Sequence, residues 1–255
     1  MKRWAVFLYG VTAYAAFLAT YLYAIGFVGN VGVPKSMDSG RMGSLASALA
    51  VDLGLLALFA VQHSVMARRG FKARLTRVVP VPAERSTYVL ASSLALLLLF
   101  WQWRPLGGPV WDVQDPAGRA ALHGLGAFGW LLVLVTTFLI DHFDLFGLRQ
   151  VWLYLRRRPY TPLAFRTPGP YRLVRHPLYV GWLFAFWATP SMTVTHLVFA
   201  LMTTAYILVA IRFEERDLVA AHGPAYEAYR RNVPMLVPSL SRQEAPVGGA
   251  ATESA

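Results

Sequence analysis

The segment PLYVGWLFAFWATPSMTVTHLVFALMTTAYILVAI, Pro177 to Ile211, runs for 35 residues without a formal charge. As one straight helix it would extend about 52 Å, well beyond the hydrocarbon thickness of about 30 Å in a bilayer. Pro190, followed by Ser191 and close to Thr193 and Thr195, offers a break, because proline removes a helix donor and clashes with the preceding turn. The stretch is therefore expected to form a tight hairpin of two short helices. Working outward, four further windows meet the requirement of about 20 largely apolar residues for a span: Trp4 to Val28, Leu45 to Met66, Thr87 to Trp103 and Ala120 to Ile140. The expected fold class is all-α, a polytopic transmembrane helix bundle of about six spans. Composition agrees, since the 255 residues are 56% hydrophobic and only 15% charged, too apolar for an ordinary soluble domain.

The net charge of +11 raises the question of nucleic acid, and its distribution answers it. Lys2 and Arg3 precede the first window; Arg68, Arg69, Lys72, Arg74, Arg77 and Arg85 follow the second; Arg149, Arg156, Arg157, Arg158, Arg166, Arg172 and Arg175 follow the fourth. These are alternate loops, and the positive-inside rule puts them, with both termini, in the cytoplasm. The loops at Lys35 to Arg41 and Pro105 to Arg119 are nearly balanced and are expected outside. Such a topology suits a bacterial inner membrane. With no soluble basic module carrying interleaved aromatics, no nucleic-acid partner is expected. The absence of cysteine excludes disulfides, zinc-thiolate sites and a cysteine nucleophile. The first apolar run is long, aromatic-rich and without a small-residue cleavage site, so it reads as a retained span.

Three regions follow. Residues 1–145 hold four spans and their loops; residues 146–238 hold an interfacial segment, the hairpin and cytoplasmic helices; Ser239 to Ala255, rich in Ser, Ala and Gly, reads as a disordered tail. Leu145 to Arg158 mixes Leu, Val, Trp and Tyr with Arg, as an amphipathic helix at the interface does. Pro159 to Pro170 then breaks it with four prolines and a glycine. After the hairpin the last helix is expected to emerge into the cytoplasm and fold back at Gly223 and Pro224.

Gly124, Gly126 and Gly129 spell GxGxxG, but inside an apolar span that follows no strand, so they read as a close helix–helix contact and not as a nucleotide loop. Ionisable groups collect at helix ends on one face: Gln62 and His63, Asp141, His142 and Asp144, Arg175 and His176, Glu214 and Glu215. Taken singly, each could merely anchor a helix end at the interface; the shared face favours a site. Asp52 lies mid-span and implies a cavity or an interhelical bond. His63, Asp141, His142 and Asp144 have ligand types that suit iron or zinc, yet no histidine pair has i, i+4 spacing, and no metal is expected.

Gly169, Pro170, Tyr171, Arg175, His176, Pro177, Tyr179 and Gly181 form GPYxxxRHPxYxG, and past the hairpin come Glu214, Glu215 and HGPAYEAYRR from His222. This combination resembles the isoprenylcysteine carboxyl methyltransferase superfamily over Asp141 to Pro238, under half of the chain. Within it, DHFDLFGLRQVWLYLRRRPYTP (141–162) and RTPGPYRLVRHPLYVGWLFAFWATPSMT (166–193) look most like the methanethiol S-methyltransferases, which make dimethyl sulfide. The resemblance implies S-adenosylmethionine as cofactor, held by Tyr171, Arg175, His176, Pro177, Tyr179, Glu214, Glu215, Tyr226 and Tyr229. The chemistry fits: an arginine fork suits the cofactor carboxylate or stabilises the local fold, the glutamates accept from its ammonium or ribose hydroxyls, and the tyrosines offer faces to adenine and to the sulfonium.

The acceptor thiol, methanethiol on this resemblance, must lose its proton to become an effective nucleophile. His142 and His63 are the candidate bases, with Asp141 or Asp144 orienting the imidazole; the competing reading is that they only satisfy polar backbone at helix ends. A small apolar thiol could arrive through the lipid bilayer and the charged cofactor from the cytoplasm. Two other readings stand beside this one. The acceptor could be another lipid-soluble molecule, such as an isoprenylcysteine carboxyl group or a different thiol. A non-enzymatic membrane transporter or haem-associated protein is supported only by Asp52 and the six scattered histidines.

Overall fold

The computed structural model describes residues 1–239; the expected tail, Ser239 to Ala255, lies outside the described residues except for Ser239. Helix α1 (Lys2–Gly29) is followed by α2 (Leu45–Met66), a short α3 (Arg69–Leu75) and α4 (Glu84–Gln102), which a 3-10 turn at Val81–Ala83 introduces. A strand, β1 (Pro109–Asp112), precedes α5 (Pro116–Ile140), the one-turn α6 (His142–Leu145) and α7 (Leu148–Leu155). After a 3-10 turn at Gly169–Arg172 come α8 (Pro177–Trp187), β2 (Ser191–Thr193), α9 (Val194–His222) and α10 (Pro224–Asn232). The protein is an all-α polytopic membrane protein: α1, α2, α4 with its leading turn, α5 and α9 are each long and apolar enough to cross a membrane, and α8 is a shorter apolar helix.

Local chemistry sets the helix starts. Ser44 accepts from the Ser47 amide to cap α2, Asp115 accepts from Gly118 to cap α5 with Pro116 just inside, and Thr193 accepts from His196 to cap α9. The hairpin forms where Pro190 was expected to break the chain, but its arms are unequal. Helix α8 has 11 residues, about 16 Å at the standard rise. Helix α9 has 29, because no proline or glycine interrupts Val194 to His222 and the helix runs on past Arg212, Glu214 and Glu215 to Gly223.

The turn between the arms carries a feature the sequence did not announce: β2 pairs antiparallel with β1, Pro109 opposite Thr193 and Asp112 opposite Ser191. Thr193 Oγ1 also donates to Asp38 at 2.6 Å, and the Leu106 amide donates to Thr195 Oγ1 at 2.9 Å. This ribbon end lies opposite the basic end, where the arginine-rich loops gather. Near it, Phe27, Phe100, Trp103, Phe186 and Phe199 interlock, with the Phe27 and Phe100 ring centres 4.6 Å apart. Asp52 is fully buried, and its Oδ1 accepts from the Arg104 amide at 3.0 Å. It is an interhelical bond that ties α2 to the end of α4.

The glycines of α5 bring α8 into place. A β-carbon on Gly129 would lie 2.5 Å from the Ala185 nitrogen and 2.7 Å from the Gly181 carbonyl oxygen, and one on Gly181 would lie 2.9 Å from the Gly129 oxygen. The two backbones touch, as small residues allow where helices associate by dispersion in lipid. Gly126 takes part in the same seam, against Ala188, whereas Gly124 faces open space. At the basic end, Gly147 holds φ +88 and sits where a β-carbon would meet Ser86 Oγ at 2.7 Å. It turns α6 into α7 against the start of α4, where Arg85 Nε donates to the Leu145 carbonyl at 2.7 Å. The amphipathic helix expected over Leu145 to Arg158 is thus the shorter α7, packed on α1 through fully buried Val151.

Gly129→Val is expected to push α8 off α5 and lower the unfolding temperature in detergent by several degrees or abolish folding, at about 1–3 kcal/mol for overpacking. Gly124→Ala, beside open space, should unfold within a degree or so of wild type. Equal effects would remove the backbone contact as the reason for the glycines.

Candidate active site

The hairpin carries the first half of the site. Pro177 occupies the first turn of α8, where its missing N–H is harmless, and this leaves His176 just outside the helix. Glu214 and Glu215 stand on the part of α9 that extends beyond the apolar stretch. Glu215, its side chain 13% exposed, lies between two partners: Arg175 Nε donates to its Oε1 at 2.7 Å, and His176 Nε2 lies 3.2 Å from the same oxygen. Glu214 differs, for its side chain is 45% exposed and its Oε2 lies 3.8 Å from His176 Nδ1. One carboxylate is consumed internally; the other faces outward from the cluster.

Arg175 acts as a tie. Besides Glu215, its Nη1 donates to the carbonyls of Arg230 at 3.0 Å and Val233 at 2.6 Å, while the Arg175 and His176 amides donate to Pro234 and Met235. These bonds draw the chain after α10 against the start of α8. Of the two roles the sequence left open, gripping a carboxylate or stabilising the local fold, this geometry displays the second.

Tyrosines and a phenylalanine enclose the cluster. Phe165 lies 5.7 Å from Tyr226 and 5.5 Å from Tyr229, centre to centre, with His222 at 5.1 Å. Tyr229 donates its hydroxyl to the Tyr171 carbonyl at 2.5 Å, and burial pushes its pKa up to about 12. Burial and the charge of Glu214 together push the Tyr171 phenol well above its ordinary value. Tyr179 also lies against Glu214. Tyr226 is 1% exposed, yet its hydroxyl has no hydrogen-bond partner. An orphaned hydroxyl of this kind costs about 1–3 kcal/mol. An exposed carboxylate, an unpaired buried hydroxyl and several aromatic faces together suit a cationic ligand with hydroxyl groups, and an adenosyl sulfonium is one.

The histidines separate into two environments. His142 is 2% exposed; its Nε2 lies 2.8 Å from the Tyr14 hydroxyl and its Nδ1 2.7 Å from Thr137 Oγ1. Phe138 stacks on it at 4.0 Å, and Phe17, Phe143 and Phe146 close the box. Burial holds its pKa below the ordinary value. The orienting contact expected from Asp141 or Asp144 is not formed. Asp144 instead pairs with Arg149 at 2.8 Å and accepts from the Tyr160 hydroxyl at 3.3 Å, and Asp141 caps α6 by accepting from the Asp144 amide. Arginine outcompetes the imidazole because a full charge and a fork make the stronger partner.

His63 is only partly enclosed. Its Nε2 lies 2.8 Å from the Tyr88 hydroxyl and its Nδ1 3.1 Å from Ser92 Oγ, with Phe59 stacked at 5.2 Å. The neighbouring Ser64 Oγ meets the Tyr206 hydroxyl at 3.2 Å. Tyr88 lies within electrostatic reach of Glu214, and Tyr179 of both Tyr88 and Tyr206. The phenols of Tyr88, Tyr179 and Tyr206 thus share one region with Glu214. Sequence reasoning missed Tyr88, Ser92, Tyr206 and Phe165; the first two stand four residues apart on α4, a helical spacing that puts them on one face. Among the described residues no three His, Asp or Glu side chains gather as a metal would require.

No family model and no solved structure matches the chain. Curated relatives do. The chain is 59% identical over 243 residues to the methanethiol S-methyltransferase of Crocosphaera subtropica, covering 95% of each. It is 56% identical over 238 residues to that of Mycobacterium tuberculosis, covering 93% of this chain and 98% of the relative. A more distant likeness is to Nurim of Sus scrofa, 35% identical over 208 residues, 73% of this chain and 78% of that one.

Arg175→Ala should destabilise the protein by about 3 kcal/mol, since it strands a largely buried carboxylate. Arg175→Lys should keep most of that charge compensation and lose the carbonyl contacts. Limited proteolysis is then expected to cut the lysine variant after α10 faster than wild type; identical cleavage would deny the tie.

Proposed function

The chain belongs to the methanethiol S-methyltransferase family, and on that premise we propose that it methylates methanethiol on sulfur with S-adenosylmethionine to give dimethyl sulfide. The likeness along almost the whole chain carries this reading, and the half-exposed Glu214, near the fully buried Tyr226 and the partly buried Tyr171 and Tyr179, supports it. The donor supplies an electrophilic methyl on a sulfonium, so that one carbon–sulfur bond forms as another breaks and the thiol proton leaves to a base. We assign to Glu214 the cationic part of the donor and to Tyr226 a polar group that satisfies its hydroxyl. The faces of Tyr171, Tyr179 and Tyr229 would flank the ligand, while Arg175, Glu215, His176 and Pro177 fix the frame.

His63 is the base we favour. His63 and His142 each have a hydroxyl at both ring nitrogens, which can accept or donate as the imidazole changes state, but His142 is 2% exposed inside an aromatic box whereas His63 is only partly buried and so is the more accessible to an acceptor. Positioning supplies the remainder, because a displacement of this type gains several kcal/mol from orientation in a dry pocket, roughly 7–11 at best. The apolar acceptor can enter from the bilayer, and the charged donor from the basic end. We read that end as cytoplasmic, by the positive-inside rule, in a bacterial inner membrane.

The test is turnover by purified protein, with dimethyl sulfide measured in the headspace. Product is expected from wild type. His63→Gln should lose about 100-fold in kcat at neutral pH and recover part of it as pH rises, when more of the thiol ionises unaided. His142→Gln should lower thermal stability and keep near-normal turnover per folded molecule. Loss of turnover in His142→Gln with His63→Gln unaffected would reverse the assignment, and donor binding without dimethyl sulfide would direct the search to another acceptor.

A further inference from the structure

A cavity of about 540 Å³ opens where α3, the start of α4 and the end of α7 meet, and its lining contains none of the residues of the carboxylate cluster. Three cations from three elements face it: Lys72, Arg85 and Arg158. Two carboxylates line it as well. Asp144 is already matched by Arg149 at 2.8 Å, and Glu84 stands 3.9 Å from Lys72 Nζ, beyond hydrogen-bond range. Arg85 gives only its Nε to the Leu145 carbonyl and rests over the Tyr88 ring at 5.2 Å; its terminal nitrogens make no hydrogen bond, and Arg158 makes none from its guanidinium, among the described residues. Two guanidinium groups beside one cavity, with donors that no protein group among the described residues takes up, suit an anion.

The acceptors refine the ligand. Glu84 Oε1 and Gln150 Oε1 are both buried without a hydrogen-bond partner, and an anion alone would leave them so. They need donors, and hydroxyl groups on the anion would supply them. Val81, Pro82 and Leu153 add an apolar side, while Tyr154 and Tyr160 line the cavity too, Tyr160 roughly half exposed, as aromatic residues are at a membrane interface. Burial holds the Lys72 ammonium below its ordinary pKa, a cost that a neighbouring negative charge would relieve.

We propose that this cavity binds the headgroup of an anionic phospholipid bearing free hydroxyls, its phosphate held by Arg85, Arg158 and Lys72 and its hydroxyls by Glu84 and Gln150. A phosphate diester with a glycerol headgroup has this chemistry, and basic pockets at the ends of membrane helices are built to take it. A soluble glycerol phosphate shares the recognition elements; the apolar side and the interfacial aromatics favour the lipid. The site is independent of the methyl-transfer reading.

Native mass spectrometry of the full protein in an equimolar mixture of phosphatidylcholine, phosphatidic acid and phosphatidylglycerol tests this. Wild type should retain phosphatidylglycerol about tenfold over phosphatidylcholine, the scale of one charge-assisted hydrogen bond, and severalfold over phosphatidic acid. Arg158→Gln, at an exposed side chain, should lose the first preference and fold normally; Gln150→Leu should lose the second. Equal retention of the three lipids by wild type, or preferences unchanged in both variants, would overturn the proposal. Displacement of the retained lipid by glycerol 3-phosphate would overturn the lipid as source, and failure to displace it supports the lipid.

Discussion

The basic end depends on a contact at mid-bundle, where the backbones of α5 and α8 meet at Gly129 and Gly181. Helix α8 is too short to be held by length, as a spanning helix is. Its position comes from packing alone, and packing in lipid rewards close approach because no hydrophobic gain separates one apolar surface from another. With α8 seated, Pro177 starts it at a fixed height, and Arg175 and His176 stand in front of it, level with the two glutamates of α9. The decoy nucleotide motif and the RHPxYxG segment are thus two sides of one seam.

Electrostatics then divides two adjacent carboxylates between two tasks. Glu215 is locked by Arg175 and His176, and with it the chain beyond α10. Such a buried pair is weak evidence of net stability, because desolvation offsets much of the attraction, but breaking it is costly, so it specifies one arrangement. Glu214, one residue earlier and turned by about 100° on the helix, is left with its side chain about half exposed. The structural use of one carboxylate holds the other in place, and on the proposed function that other is the one that meets the donor.

The spans were legible in the sequence because crossing a bilayer is a length requirement that few other structures imitate, and Pro190 disclosed the turn. The unequal arms were less legible: charge at Arg212 ends an apolar run, but it does not end a helix that lacks a breaker. The ribbon of β1 and β2 was hidden in four- and three-residue strands that only pairing stabilises. The motif named Arg175, His176 and both glutamates, which the fold brings together, whereas the different surroundings of Glu214 and Glu215 rest on a chain segment nearly 60 residues from Arg175 that folds back onto it. His63 and His142 looked alike, each closing an apolar span. What distinguishes them is Tyr14 and Phe17 of α1, which enclose one and leave the other beside Tyr88. Distant burial of this kind has no local signature.

The assignment of the donor to the carboxylate cluster is tested most directly by calorimetric titration of S-adenosylmethionine into wild type and Glu214→Gln, with folding checked by thermal unfolding. Replacing the exposed carboxylate should weaken binding about tenfold or more and leave the unfolding temperature nearly unchanged. Equal affinities in two equally stable proteins would contradict the assignment and place the donor elsewhere in the bundle.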